Sequence, residues 1–248
     1  MVNPVQIGTC GFGRPKTEYA QRLSCVEVQQ TFYQPPRLAT LENWRRQVPA
    51  EFEFTLKAWQ LITHEARSPT YKRLKKELSE AERQQAGSFK ATEVVEEAWQ
   101  VTLACAKALE AKTVLFQCPA SFRPTRENIA NLERFFSQID RRQLNLGWEP
   151  RGAWDREVVE GLCTDLNLWH VVDPFVTSTV TPEQAYFRLH GRRGWRYQYE
   201  EQELRELMEL LPESRNAYVF FNNVHMLEDA LLFQKILGHP TDAAEIEG

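Results

Sequence analysis

Phe52-Glu53-Phe54-Thr55-Leu56-Lys57 alternates an apolar side chain with a polar one at every step. Successive side chains on a strand point to opposite faces, so Phe52, Phe54 and Leu56 share one face and Glu53, Thr55 and Lys57 the other. The same pattern recurs along the chain. In Cys25–Thr31, Val26 and Val28 oppose Glu27, Gln29 and Thr31; further on, Leu144, Leu146 and Trp148 oppose Asn145, Gly147 and Glu149, and Phe187 and Leu189 oppose Arg188 and His190. Eight β-rich runs can be marked in all: Val5–Thr9, Cys25–Gln29, Phe52–Lys57, Thr113–Cys118, Leu144–Glu149, Leu168–Asp173, Tyr186–His190 and Tyr218–Phe221.

Helical spacing fills the intervals. Thr17–Leu23, Leu38–Gln47, Val94–Leu109, Asn128–Ile139, Asp155–Leu162, Glu203–Leu211 and Leu227–Leu237 carry it, most clearly in the stripe Ile129, Leu132, Phe135, Phe136 and Ile139. Strand alternating with helix implies parallel pairing through helical crossovers. Eight such units in 248 residues predict a single closed (β/α)₈ barrel over residues 1–238, with an open doubly wound sheet as the alternative. Two crossovers are irregular. A charged insertion, about residues 61–97, follows the third strand; from Glu65 to Glu97 it holds seven Lys/Arg and seven Glu, so its net charge is zero. Its cluster Lys72, Arg73, Lys75 and Lys76 reads as a solvated helix face or as a nucleic-acid patch. Pro174–Ala185 is too short and too rich in Pro and Thr for a sixth helix, and residues 239–248 are expected to be a disordered tail.

The apolar set of each strand must face the helices, because that contact supplies most of the burial. The polar set then points inward: Glu27, Gln29, Lys57, Gln117, Glu149, Arg188 and His190. Unpartnered charges there would cost several kcal/mol each, so they must meet partners, water or ligand. Two other readings stay open: an antiparallel sheet with one wet face, and a buried structural ion-pair network that includes Glu53 and Lys57.

The runs Ile7-Gly8-Thr9-Cys10-Gly11-Phe12, Val26-Glu27 with Thr31-Phe32-Tyr33, and Phe52–Lys57 with Ile62-Thr63-His64 resemble the DUF72 (YecE-like) family. So do Trp148-Glu149-Pro150-Arg151 with Trp154, Tyr186–Gly191 and Tyr218–Asn223. The resemblance spans nearly the whole chain, in family order, and implies a TIM-like barrel of uncharacterised function. The family often has Gly-Thr-Ser-Gly-Trp where this chain has Cys10 and Phe12, which implies a different hydroxyl contact or stacking surface at the first loop.

Composition narrows the classes of function. Thirty Lys+Arg against 34 Asp+Glu leave a net charge of -4, so any basic patch must be local. No apolar run approaches a membrane span, and Met1–Gly8 lacks the features of a secretion signal. Five cysteines with no C-x-x-C pair argue for a reducing cytoplasm and against a disulfide framework or structural zinc. No dinucleotide or Walker-type glycine loop is present. The oligomeric state is not readable.

Barrel enzymes work at the C-terminal strand ends, which selects Glu149, His190, Glu27 and Asp173 as catalytic candidates. His190 is the acid/base candidate because imidazole titrates near neutral pH. Glu149 with Arg151 reads as a held carboxylate or a salt-bridged latch, and Asp173 as a catalytic acid or as turn chemistry before Pro174. Lys57, Gln117, Arg151, Arg188, Arg192, Trp195, Asn222 and Asn223 are the substrate-binding candidates. The loop Gly191–Tyr199 combines three arginines, two glycines and three aromatics, suited to an anion or to packing as a lid. His64 reads as a helix cap and His170 as helix-facing. Cys10 and Cys118 read as buried packing, and a covalent role for Lys57 is opposed by nearby Glu27. A divalent metal on Glu27, Glu149, Asp173 and His190 is an open alternative, disfavoured by Lys57, Arg151 and Arg188.

The leading expectation is acid/base chemistry on an anionic, phosphorylated or nucleotide-like small molecule, of hydrolase or isomerase type. The alternatives are a carbohydrate hydrolase using Glu149 with Glu27 or Asp173, and a non-enzymatic nucleic-acid-binding or adaptor protein using Arg192–Tyr199 and Lys72–Lys76.

Overall fold

In the computed structural model, which describes residues 5–213 and 216–238, eight parallel strands close into a barrel in the order β1 to β8. The strands are β1 (Gln6–Cys10), β2 (Cys25–Val28), β3 (Glu53–Lys57), β4 (Thr113–Gln117), β5 (Asn145–Glu149), β6 (Trp169–Val172), β7 (Ala185–Leu189) and β8 (Ala217–Phe221). Helices occupy the connections: α1 (Lys16–Ala20), α2 (Gln30–Tyr33), α3 (Leu38–Arg46), α4 (Gln60–Thr63), α5 (Glu80–Gln85), α6 (Glu93–Leu109), α7 (Arg126–Gln138), α8 (Arg156–Asp165), α9 (Glu201–Glu209) and α10 (Met226–Ile236). This is the (β/α)₈ architecture expected from the alternation. Between β6 and β7 there is one 3₁₀ turn, Pro182–Gln184, where a full crossover helix would sit. Among the described residues no helix is long and apolar enough to cross a membrane. The expected disordered tail, 239–248, lies outside the described residues.

The insertion after β3 differs from a helix face. Pro69–Arg73 is a 3₁₀ turn capped by Ser68, and no helix resumes before α5, whose start is closed by a reciprocal Ser79–Glu82 capping box. Lys72 to Lys76 therefore lie on a turn and an irregular segment. Gln34 Oε1 accepts from the backbone N–H groups of Lys75 and Lys76 at 2.9 and 3.2 Å, which satisfies donors that a helix would have used internally. Lys76 pairs with Glu97 at 2.9 Å, and the Arg73 guanidinium lies 3.5 Å over the Tyr33 ring. Proline at the first position of the turn removes an amide donor, and no apolar stripe follows to bury a helix face.

Contacts divide the chain into two compact units: Met1–Glu27 with Arg46–Glu53 and Val171–Gly248, and Val28–Arg45 with Phe54–His170. In the first, β1, β7 and β8 pair in register, with Arg188 level with Phe220 and Tyr186 level with Tyr218; β1 also pairs with β2, with Cys10 level with Glu27. Laterally paired residues in a sheet point to the same face. Glu27, Tyr186, Arg188, Tyr218 and Phe220 therefore share the inner side, and Val26, Phe187, Leu189, Val219 and Phe221 the side toward the helices. In the second unit Lys57 is level with Leu115, and Gln117 with Glu149. Its core is aromatic: Trp99 of α6, Phe135 and Phe136 of α7, Phe89 and Phe116 interlock at ring-centroid separations of 5.0 to 6.2 Å. Each fully buried phenylalanine stabilises the fold by roughly 2–3 kcal/mol.

Strand ends fall within a residue or two of the sequence reading, with one consequence for side-chain direction. Gln29 has φ -90° and ψ -27°, and it opens α2 instead of extending β2. Strand alternation ends at Val28, so the inward direction read for Gln29 and Thr31 does not apply. Thr31 sits on α2, where its hydroxyl donates to the Lys57 carbonyl at 2.7 Å.

Candidate functional site

In the first unit the ends of β1, β2 and β7 assemble a buried ionic network. Glu27 and Arg188 are both fully buried. Arg188 Nη2 donates to Glu27 Oε1 at 2.8 Å and Nε to Oε2 at 3.0 Å, a two-pronged pair. Tyr186 donates its hydroxyl to Oε2 at 2.7 Å, and the Cys10 thiol donates to Oε1 at 3.2 Å. Every lone-pair direction needed to offset the desolvation of the carboxylate is thus met by a donor.

Arg188 Nη1 points elsewhere, lying 3.4 Å from Nε2 of His190, the residue that follows β7. On the other edge of that ring, Nδ1 is 3.7 Å from Asp173 Oδ2, and the same carboxyl oxygen accepts the His190 backbone N–H at 3.1 Å. Asp173 Oδ1 accepts from the Phe175 N–H at 3.1 Å, so the carboxylate is fixed by two main-chain donors. The carboxylate near Nδ1 and the guanidinium beside Nε2 orient the ring from both edges. Its side chain is 28% exposed, so a solute can reach it.

In the second unit, the ends of β3, β4 and β5 carry a separate polar cluster. Lys57 Nζ donates to Gln117 Oε1 at 2.6 Å and lies 4.0 Å over the Phe32 ring. Glu149 Oε1 accepts from Arg151 Nε at 3.0 Å, with Glu149 buried and Arg151 partly exposed. His64, the residue that ends α4, is buried beside them, with Nδ1 2.8 Å from the Thr63 hydroxyl and its ring edge-on to Phe32 at 4.9 Å. Burial, then the charges of Lys57 and Arg151, push its pKa down to about 3. His170 faces the helices, as its register with Trp148 requires, and burial lowers its pKa to about 4. Both rings stay neutral at ordinary pH.

The remaining candidates sit on loops of the first unit. Arg192 reaches α9, pairing with Glu203 at 3.1 Å and with Glu206, while its guanidinium lies 4.1 Å over Phe175. Trp195 is 62% exposed. The Asn222 backbone N–H donates to the Leu189 carbonyl at 2.8 Å, which ties the end of β8 to β7. Asn223 is buried, and its Nδ2 donates to Asp229 Oδ2 at 2.6 Å and to the Tyr197 carbonyl at 2.7 Å. Burial raises the Asp229 pKa to about 6. Among the described residues no three His, Cys, Asp or Glu side chains come together as a metal-binding group. A cleft of about 550 Å³ opens between α6 and α7, and none of the candidate residues lines it.

Three residues matter here that sequence patterning set aside or passed over. Cys10 was read as packing, yet it donates into the Glu27 carboxylate; its strand-end position level with Glu27 was the available signal. Tyr186 shares the Arg188 face two residues earlier, so parity marks it too. His64 comes into reach of Lys57 and Arg151 through α4, a four-residue helix with no periodicity to detect. Phe12, where the family pattern has tryptophan, packs against Tyr19 at 5.1 Å and Phe52 at 6.3 Å.

Fold and site together define a (β/α)₈ barrel protein whose strand ends bear charged and titratable groups. The chain belongs to DUF72, described as a protein family of unknown function, whose model matches residues 15–247. The UPF0759 protein YunF of Bacillus subtilis (strain 168) is 23% identical over 266 residues, covering 88% of each chain. Among solved structures, a DUF72 family protein of Thermotoga maritima MSB8 is 25% identical with a TM-score of 0.70, covering 95% of this chain and all of its own. One from Enterococcus faecalis V583 is 24% identical with a TM-score of 0.71, covering 95% and 98%. A D-psicose 3-epimerase, 12% identical with a TM-score of 0.58 over 95% of this chain, shares the fold.

Proposed function

We propose that this barrel is an enzyme that transfers a proton on an anionic small molecule, with His190 as the exchanging group. The observation that carries this reading is the Asp173–His190–Arg188 series at the end of β7. Asp173 faces Nδ1 at 3.7 Å and orients the ring, whose exposed part is where a substrate proton would be exchanged. As the ring becomes cationic, the carboxylate stabilises it, which is the usual division of labour between a histidine base and its orienting acid. Arg188 Nη1, 3.4 Å from Nε2, places a buried positive charge behind the ring, so an anion that reaches the exposed His190 side chain meets a favourable field. Such an exchange serves either an isomerisation or a hydrolysis.

The buried Glu27 pair acts on this site indirectly: it fixes Arg188 so that Nη1 keeps its direction. In the second unit, Lys57 and Arg151 are cations at strand ends, and Glu149 pairs with the Arg151 guanidinium 3.0 Å away. We read these as groups for holding charge on a ligand. Five buried thiols suit a reducing cytoplasm.

The test is the thermal midpoint of the full chain in inorganic phosphate or sulfate, against potassium chloride matched for ionic strength. Either oxyanion is expected to raise the midpoint above the chloride control, since a ligand that binds only the folded state stabilises it. Equal midpoints in all three salts would refute the anion site. If the site exists, His190→Gln should lower turnover of any substrate found while leaving the phosphate effect in place.

A further inference from the structure

The Trp195 side chain is not buried in the fold. It stands 62% exposed on the loop after β7, although tryptophan is among the side chains with most to gain from burial. The loop that displays it is built firmly. Gly191 has φ +84°, and its N–H donates to the Tyr199 hydroxyl at 2.9 Å; any Cβ there would lie 2.4 Å from the Gly194 carbonyl oxygen. The turn closes through Gly194 N–H to Gly191 at 3.1 Å and Tyr197 N–H to Gly194 at 2.9 Å. The Trp195 carbonyl accepts the Val224 N–H at 2.7 Å, pinning the loop to the segment after β8.

The charges around the indole are uneven. Arg192 is spent on Glu203 and Glu206 of α9, and Tyr197 donates to Glu203 at 2.6 Å, so those carboxylates are answered locally. Arg193 and Arg196 are both exposed, and neither forms an ion pair among the described residues. Arg196 lies 4.9 Å over the Trp195 ring. The hydrogen-bonded loop thus holds an exposed indole, with Arg196 over its ring, and two guanidiniums that form no ion pair among the described residues, beginning one residue after His190. The five steps of chain from His190 to Trp195 span at most about 18 Å even if fully extended.

From this we infer that the anionic ligand is a nucleotide: Trp195 stacks on its base, and Arg193 and Arg196 attract its phosphate toward His190. Aromatic faces accept any base by stacking, and guanidinium forks match phosphate oxygens. The inference rests on the proton-transfer reading above and names the substrate class of that same site.

The experiment is isothermal titration of the full-length protein with AMP, ribose 5-phosphate and inorganic phosphate, for wild type and Trp195→Ala. Base stacking on an exposed aromatic is worth about tenfold in affinity. AMP is therefore expected to bind wild type about tenfold more tightly than ribose 5-phosphate, and the two to converge within about twofold in Trp195→Ala. Trp195 is exposed and its removal opens no cavity, so that variant keeps the fold; Arg193→Ala with Arg196→Ala should weaken all three ligands alike. Equal affinities for AMP and ribose 5-phosphate in wild type would overturn the nucleotide assignment and leave the anion site standing. Binding of none of the three would overturn both.

Discussion

Replacing Arg188 with methionine strands a carboxylate. Methionine keeps much of the apolar stem but removes all three guanidinium contacts to Glu27, at 2.8, 3.0 and 3.2 Å, while the Tyr186 hydroxyl and the Cys10 thiol remain as donors. Glu27 has no access to water with which to replace them. Breaking one side of such a buried pair costs about 3–5 kcal/mol. For a domain of this size each kcal/mol is worth about 2–4 °C of thermal midpoint, so Arg188→Met should melt roughly 6–20 °C below wild type. Removing the stranded charge as well, in Glu27→Gln with Arg188→Met, should recover at least half of that loss, because a neutral amide can still accept from Tyr186. Urea denaturation of wild type, both single variants and the double variant closes a thermodynamic cycle and yields the coupling directly. A loss below about 1 kcal/mol in Arg188→Met, or strictly additive single variants, would show that water reaches this carboxylate and would refute the dry interior network.

His64 sets the acid side of stability. Its folded pKa, about 3, lies below the unfolded 6.5, so its contribution is fully present above pH 6.5 and is lost as pH falls toward 3. At pH 5 the loss is about 2 kcal/mol, and His64→Gln should flatten that part of a urea-midpoint-against-pH curve; an unchanged curve would count against the buried neutral ring. Gly191→Ala must place a Cβ 2.4 Å from the Gly194 carbonyl at φ +84°, so it should lose about 1–3 kcal/mol in the same assay. All five cysteines are buried, and burial raises the thiol pKa of Cys25, Cys105, Cys118 and Cys163. A thiol reagent such as dithionitrobenzoate should therefore react slowly in native buffer and at five sites after unfolding; a fast native phase would mark an accessible thiol.

Period-two alternation was enough to place Glu27, Lys57, Gln117, Glu149 and Arg188 on the inner face, since the more apolar surface each of these strands can offer its helices is the opposite one. Helical periodicity in α6, α7 and α10 was equally legible, because those helices bury one continuous stripe. Short elements were not. α2 and α4 have four residues each, too few to show a period, and they carry Thr31 and His64 to the second cluster. Lys72–Lys76 looked helical from charge alone, but charge without an apolar stripe gives a helix nothing to bury.

Local pattern therefore set the strand–helix alternation and the inward side of each strand, which depend on residues near one another in the chain, and made a closed barrel the leading architecture over an open sheet. Partner choice is another matter. That Arg188 closes on Glu27, 161 positions away, that Arg192 turns to α9, and that His190 lies between Asp173 and Arg188 follow from strand register and loop anchoring. Charge complementarity is blind to sequence distance: any of the chain's carboxylates suits a guanidinium chemically, and only the closed barrel brings one of them within 3 Å.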